Sequence, residues 1–274
     1  MAVTGFQAAV LRQIARARIA DGETYVAGGL ALNHWLGGER VSRDIDVFND
    51  TEAALLRAVA ADTETLAAAG YEVRRTRETS AFTEAVVSRD GKSTGIQWAR
   101  DSAYRFFPLV EDPLLGVTLH PFDLATNKLL ALAGRREPRD WVDAIRCHDR
   151  LQPLGLLVWA ACGKDPGYSP ASLLEWLARV RYAQEELDLA VVQDVPPDAA
   201  ELGRRWHEAV TSGQRMVALL PPESAGSCVL DADGEPFRGG EEAVAVALAG
   251  GRLRFHKGCI RGAWPVPFDR QANG

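Results

Sequence analysis

Apolar residues recur every four positions at the start of the chain, at Phe6, Val10 and Ile14, with Arg12, Arg16 and Arg18 between them. This period predicts an amphipathic helix, and the lack of a continuous apolar block argues against a secretion signal. Thr24 to Ala27 reads as a short strand, after which Gly28-Gly29 opens a helix carrying Leu30, Leu32, Trp35 and Leu36 that Gly37-Gly38 ends. Alternation returns from Asp44 to Phe48, and Asn49-Asp50-Thr51 supplies cap chemistry for an alanine-rich helix running to Gly70. Three further strands are expected at 71–76, 82–88 and 94–99, the last two joined by a hairpin at Asp90-Gly91.

From Pro121 the pattern turns helical, over 123–133 and then 138–150, with Pro138 suited to a first helical turn. The composition shifts near Pro153. Helices are expected at 154–162, 172–187 and 199–219, separated by "GKDPGYSP" and "VPPD". From Cys228 onward the chain is rich in Gly and Pro with short apolar runs, and "LDADGEPF" reads as a hairpin. The expected class is therefore α+β: a mixed α/β region over 1–120, then a mainly helical region over 121–274 with a short β or irregular tail.

At 274 residues the chain is long enough for two modest domains. Its 47% hydrophobic and 25% charged content is that of a soluble globular protein, and no run approaches the roughly 18 apolar residues of a membrane span. Cys147, Cys162, Cys228 and Cys259 are scattered without metal-ligand spacing, which suits free thiols in the cytoplasm. The five histidines form no spaced pair, and His148 falls on a buried helical arc. A net charge of −6 disfavours tight non-specific binding to a phosphate backbone, although a local patch remains open.

Two pairs of residues bring chemistry. Residues two apart on a strand share a face, so Asp44 and Asp46 project the same way, with Cα atoms roughly 6.6 Å apart, while Ile45 and Val47 face the core. Two carboxylates so close repel unless a cation or solvent screens them, and Mg²⁺ characteristically takes one or two carboxylates plus phosphate oxygens. The same pattern also suits a half-exposed strand with an acidic face. Gly28-Gly29 stands where a strand meets a helix, so bare backbone N–H groups can approach an anion, or the pair simply makes a tight turn. Together the pairs place a phosphate cradle and a metal-binding strand in one short unit.

On these residues the sequence resembles the polymerase-β-like nucleotidyltransferase superfamily. More narrowly, "GGLAL…VSRDIDVF" followed by "DLATNKLLAL…RREPRDWVDAI" is similar to the AbiEii/AbiGii group of nucleotidyltransferase-like toxins, over roughly residues 20–150. The resemblance implies that Asp44 and Asp46 hold Mg²⁺ against a nucleoside triphosphate whose phosphates meet the Gly28-Gly29 backbone and Ser42. Arg43 would fix the strand or neutralise charge. It also implies roles for Lys128 at the triphosphate and for Asp140 as the functional acid.

The residues themselves speak to these last two. Lys128 falls in the middle of its helix's apolar arc, so it must snorkel outward or meet an anion. On the next helix Trp141, Val142, Ala144 and Ile145 form the buried arc, Asp143 lies within pairing distance of Arg139 or Arg146, and Asp140 borders the arc with no obvious partner. Many superfamily members carry a third acid on a neighbouring strand. Here that strand offers Gln97, with Glu84 or Asp101 as possible substitutes. "GKDPGY" either places Lys164 and Asp165 over a cleft or is a plain loop.

The resulting expectation is a cytoplasmic Mg²⁺-dependent enzyme that moves a nucleoside monophosphate from an NTP to a hydroxyl acceptor. That acceptor would be RNA such as a tRNA end, or a protein. The enzyme would be toxin-like and paired with an antitoxin protein. A small-molecule acceptor and a non-catalytic nucleotide- or partner-binding module are the alternatives, the last motivated by Gln97.

Overall fold

The computed structural model of the protein describes residues 3–18, 22–38, 40–191 and 197–265. Contacts divide these into two compact units, one from the described residues up to 103 plus 108–124, the other from 104–107 and the described residues between 125 and 265. Glu39, just after Gly37-Gly38, Val195 and Pro196 of "VPPD" and the side chains of Arg16 and Arg18 lie outside the described residues.

The chain order begins α1 (Gly5–Arg18), β1 (Thr24–Ala27), α2 (Gly28–Trp35), β2 (Asp44–Asn49), α3 (Glu52–Ala68), β3 (Glu72–Thr79), β4 (Phe82–Arg89) and β5 (Lys92–Arg100). After β6 (Tyr104–Arg105), which belongs to the second unit, β7 (Val110–Asp112) and β8 (Gly116–Thr118) return to the first. Seven strands form one mixed sheet in the order β3-β4-β5-β2-β1-β8-β7. β2 is its hub, antiparallel to β1 and parallel to β5.

Alternation along the strands decides the faces. Val26, Ile45, Val47, Ile96 and Trp98 are fully buried, and α1 and α3 pack on the sheet with Val10, Leu11, Ile14, Leu55 and Leu66. The Trp98 indole N–H donates to Asp62 on α3 at 2.7 Å, so its one polar group is satisfied in the interior. Thr51 caps α3 by accepting from the Ala54 N–H at 3.1 Å. The Asp90-Gly91 hairpin forms as its dipeptide dictates, with φ of 53° and 72°. The strands at β7 and β8 were not expected. Three residues each give too little alternation to read, and β8 exists through its parallel partner β1.

The second unit takes in most of α4 (Pro121–Arg135), then α5 (Pro138–Arg150), α6 (Leu154–Ala161), α7 (Pro170–Leu177), α8 (Gln184–Ala190), α9 (Ala199–Leu219), a 3₁₀ turn at Pro222–Ser224, β9 (Ser227–Leu230), α10 (Glu241–Ala249), β10 (Arg254–Lys257) and β11 (Cys259–Ile260). α6 is buried along its whole length and crosses α9 at glycines: a Cβ on Gly155 would lie 2.6 Å from the Gly213 Cα.

Three expectations are corrected here. The single helix expected at 172–187 is two, because Val180 tucks into the core and the Glu186 carboxylate accepts from the Ala183 N–H at 2.8 Å to start α8 afresh. "LDADGEPF" makes a turn closed by one bridge, Leu230 to Pro236, while β9 pairs along its length with the distant β10. The segment after Cys228 also contains a helix, α10, whose short alanine- and valine-rich run buries only Val244 and Ala247.

Candidate active site

Asp44 and Asp46 lie half-buried on β2, between the fully buried Ile45 and Val47. Each carboxylate folds over a glycine. An added Cβ on Gly28 would collide with the Asp46 carboxylate, and one on Gly95 of β5 would collide with that of Asp44. Gly28 also holds φ at 68°, a left-handed conformation that a side chain would strain. Strand register explains the match: Ala27 pairs with Asp46 across β1–β2, and Asp44 with Gly95 across β2–β5. Gly95 was not singled out from the sequence, although a glycine inside a strand pattern does signal close approach.

α2 begins at Gly28, with no side chain capping it among the described residues. Its first-turn N–H groups and the positive end of its dipole offer a position that could receive an anion. Two side chains of the following loop come over this turn: the Arg40 guanidinium stands 2.6 Å, and the Ser42 hydroxyl 3.7 Å, from where a Gly29 Cβ would lie. Arg40 is only 3% exposed, and no periodicity in the loop marks it. Ser42 is held by its carbonyl, which accepts from the Gln7 amide at 2.8 Å. Arg43 is exposed, and its carbonyl accepts from Thr94 at 3.3 Å.

Gln97 is the register partner of Asp46, and Glu84 that of Gln97, so the three side chains form a row across β2, β5 and β4. The Gln97 amide donates to Glu84 at 3.2 Å. Asp101 lies four residues beyond Gln97, past the end of β5 and thus roughly 13 Å along the strand direction, where it lines a pocket with Asp50, Thr51 and Arg100. Of the two substitutes for a third acid, Glu84 is level with Asp46 and Asp101 is not.

In the second unit Lys128 meets an anion, one of the two outcomes its apolar arc allowed. Its ammonium donates to Asp140 at 2.7 Å and lies 3.2 Å from Asp143. Asp140 also accepts two hydrogen bonds from Arg135, at 2.6 and 3.0 Å, so the acid whose pairing was less obvious from the sequence is the centre of the cluster. Asp143 is fully buried, whereas Arg139 and Arg146, its expected partners, are half-buried. Burial alone would raise the Asp140 pKa, but the Arg135 hydrogen bond and the Lys128 charge outweigh it and hold the carboxyl below its ordinary range. Lys164 of "GKDPGY" donates to Asn127 at 2.7 Å and Asp165 accepts from the Gly167 N–H, the bonds of a plain loop.

Among the described residues no group of three or more His, Cys, Asp or Glu converges as a metal site. The two carboxylates of Asp44 and Asp46 are hard oxygen donors on one strand face, the donor set of a Mg²⁺ ion that completes its shell with water and phosphate. The four cysteines are free, only Cys259 being exposed, and no described helix is long and apolar enough to cross a membrane.

A mixed sheet in which strand, Gly-Gly and helix are followed by a strand bearing Asp-x-Asp defines a polymerase-β-like nucleotidyltransferase core. Residues 10–155 match the family described as "Nucleotidyl transferase AbiEii toxin, Type IV TA system", and the chain belongs to this family of nucleotidyltransferases. In fold it is similar to MenT4, a nucleotidyltransferase toxin from Mycobacterium tuberculosis, at 15% identity and TM-score 0.51 over 75% of this chain and 83% of that one. It is also similar to a putative nucleotidyltransferase from H. pylori, at 13% identity and TM-score 0.53 over 78% of this chain and 96% of the other. No curated protein matches the sequence.

Proposed function

We propose that the chain transfers a nucleoside monophosphate from an NTP to a hydroxyl of an RNA or protein acceptor, using Mg²⁺ held by Asp44 and Asp46. The observation that carries this reading is the seating of the two carboxylates over bare glycine backbone, beside a helix N-terminus crossed by a buried arginine. When bound, Mg²⁺ neutralises charge on the phosphate oxygens. The chain's own groups do the rest. The Gly28 and Gly29 N–H groups, Ser42 and Arg40 bind phosphate oxygens, and Arg43 adds positive charge at the rim. The acceptor oxygen attacks the α-phosphorus in line, the bond to pyrophosphate breaks, and the acceptor proton passes to a carboxylate or to solvent.

Lys128 and Asp140 enter the proposal as functional residues of the second unit. For Lys128 to contact phosphate, its ammonium must exchange a carboxylate partner for a phosphate oxygen, an exchange of like for like in charge. Family membership supports toxicity and a protein antitoxin as partner.

Purified protein incubated with Mg²⁺, α-labelled NTPs and cell extract should label an RNA or protein band, and Asp44→Ala or Asp46→Ala should abolish it. Labelling that survives both substitutions, or that appears only on small molecules, would sink this reading.

A further inference from the structure

Trp176, at the end of α7, leaves 41% of its surface exposed, which is unusual for so large an apolar ring. Two guanidinium groups flank the indole, Arg136 at 5.0 Å and Arg179 at 5.5 Å from its ring. Arg181 is exposed two residues further on. Among the described residues no carboxylate makes an ion pair with any of these three arginines, although Glu137 and Glu175 are close in the chain. Beside them, Arg179, Arg181, Gly203, Trp206 and His207 line a pocket of about 450 Å³ between the α7–α8 loop and α9. Trp206 fixes that loop's start, its indole N–H donating to the Leu177 carbonyl at 2.8 Å.

Arginines clustered without an ion-pair partner repel one another, and an anion relieves that repulsion. The indole already carries these cations over its ring, so a base can take the place of one guanidinium while the freed arginine turns to a phosphate, and the adjoining pocket is wide enough to take a second base. The pairing of stacking face and phosphate-binding fork is that by which proteins hold unstacked nucleotides. We infer that the face formed by Arg136, Trp176, Arg179 and Arg181 with the Gly203–His207 pocket binds single-stranded RNA. A base displaces one guanidinium from the Trp176 ring and stacks there, its neighbour enters the pocket, and the arginines take the phosphates. RNA ends and loops present such splayed bases, whereas a duplex hides them. The inference concerns binding alone and stands apart from the transfer chemistry.

The test is fluorescence anisotropy of the full chain with a labelled 12-nucleotide RNA of mixed sequence and with the same sequence as a duplex, without NTP. The single strand should bind at least tenfold more tightly, with a log–log salt slope of about −2 for three phosphate contacts. Trp176→Ala and Arg136→Ser/Arg179→Ser should each weaken it tenfold or more. Gly203→Phe fills the pocket at a position where an added Cβ meets nothing within 4 Å, so the fold tolerates it, and it should weaken binding as well. Equal affinity for the duplex, or unchanged affinity in all three variants, would overturn the inference.

Discussion

The Lys128 ammonium lies 2.7 Å from the Asp140 carboxylate in the interior of the second unit, where neither side chain is more than 6% exposed. Removing one member of such a pair leaves a charge buried without its counter-ion, which costs on the order of 3–5 kcal/mol. Lys128→Met, which takes one shared ammonium from both Asp140 and Asp143 and leaves Asp140 to Arg135, should be the most damaging change in the cluster. Asp143→Asn, which leaves the 2.7 Å contact in place, should cost least. Urea midpoints at pH 7 rank the variants.

Two pH windows should separate in the same assay. Burial pushes the His120 pKa down to about 4 and lowers that of His148. The unfolded chain therefore takes up protons that the fold refuses, and stability is lost as pH falls from about 6.5 towards 4. Asp140 works lower: its depressed pKa contributes stability above about 3.9, lost as pH drops through the folded value. Replacing both histidines with Asn should flatten the upper window, and Asp140→Asn the lower one. A profile unchanged by the histidine pair would show that desolvation there is smaller than the buried geometry implies.

Gly28→Ala and Gly95→Ala should differ in kind. At Gly28 the methyl meets Asp46 and the backbone is held at φ 68°, so strain adds to displacement; about 1–3 kcal/mol of stability should go with the activity. Gly95 carries no such φ, so its methyl should displace Asp44 and depress kcat with a smaller loss of stability. Thermal melts beside transfer rates distinguish the two.

Gln97→Glu would set a third carboxylate between Asp46 and Glu84. Without metal the row should repel itself and lower the melting temperature; with millimolar Mg²⁺ the loss should be recovered, and the Mg²⁺-induced rise should exceed that of the wild type. A variant indifferent to Mg²⁺ would place the ion elsewhere.

The core from β1 to β2 was legible because its signals are local: a glycine pair at a junction, alternation around Ile45 and Val47, and a threonine cap. Lys128 was legible as an anomaly, since a charge within an apolar arc must snorkel outward or meet an anion, but neither the choice nor the identity of the anion was. Asp140 and Asp143 lie on the next helix, and Arg135 at the end of the helix that carries Lys128, so only the packing of the two helices brings them together. Arg40 was invisible because nothing in an irregular loop says which way a side chain points. β8 and α10 were missed for a related reason: three residues or a short alanine run hold their shape through distant neighbours.

Gly28 does two jobs with one absent side chain, turning strand into helix and leaving room for Asp46. For the lineage that carries this protein, the two positions are therefore a single character. On the proposed role of Asp46, a change at Gly28 gains nothing until Asp46 has already shortened, and a shortened Asp46 would no longer hold the metal. Drift through either intermediate is closed, so lineages that abandon the activity should be free to change both positions, while those that keep it should change neither.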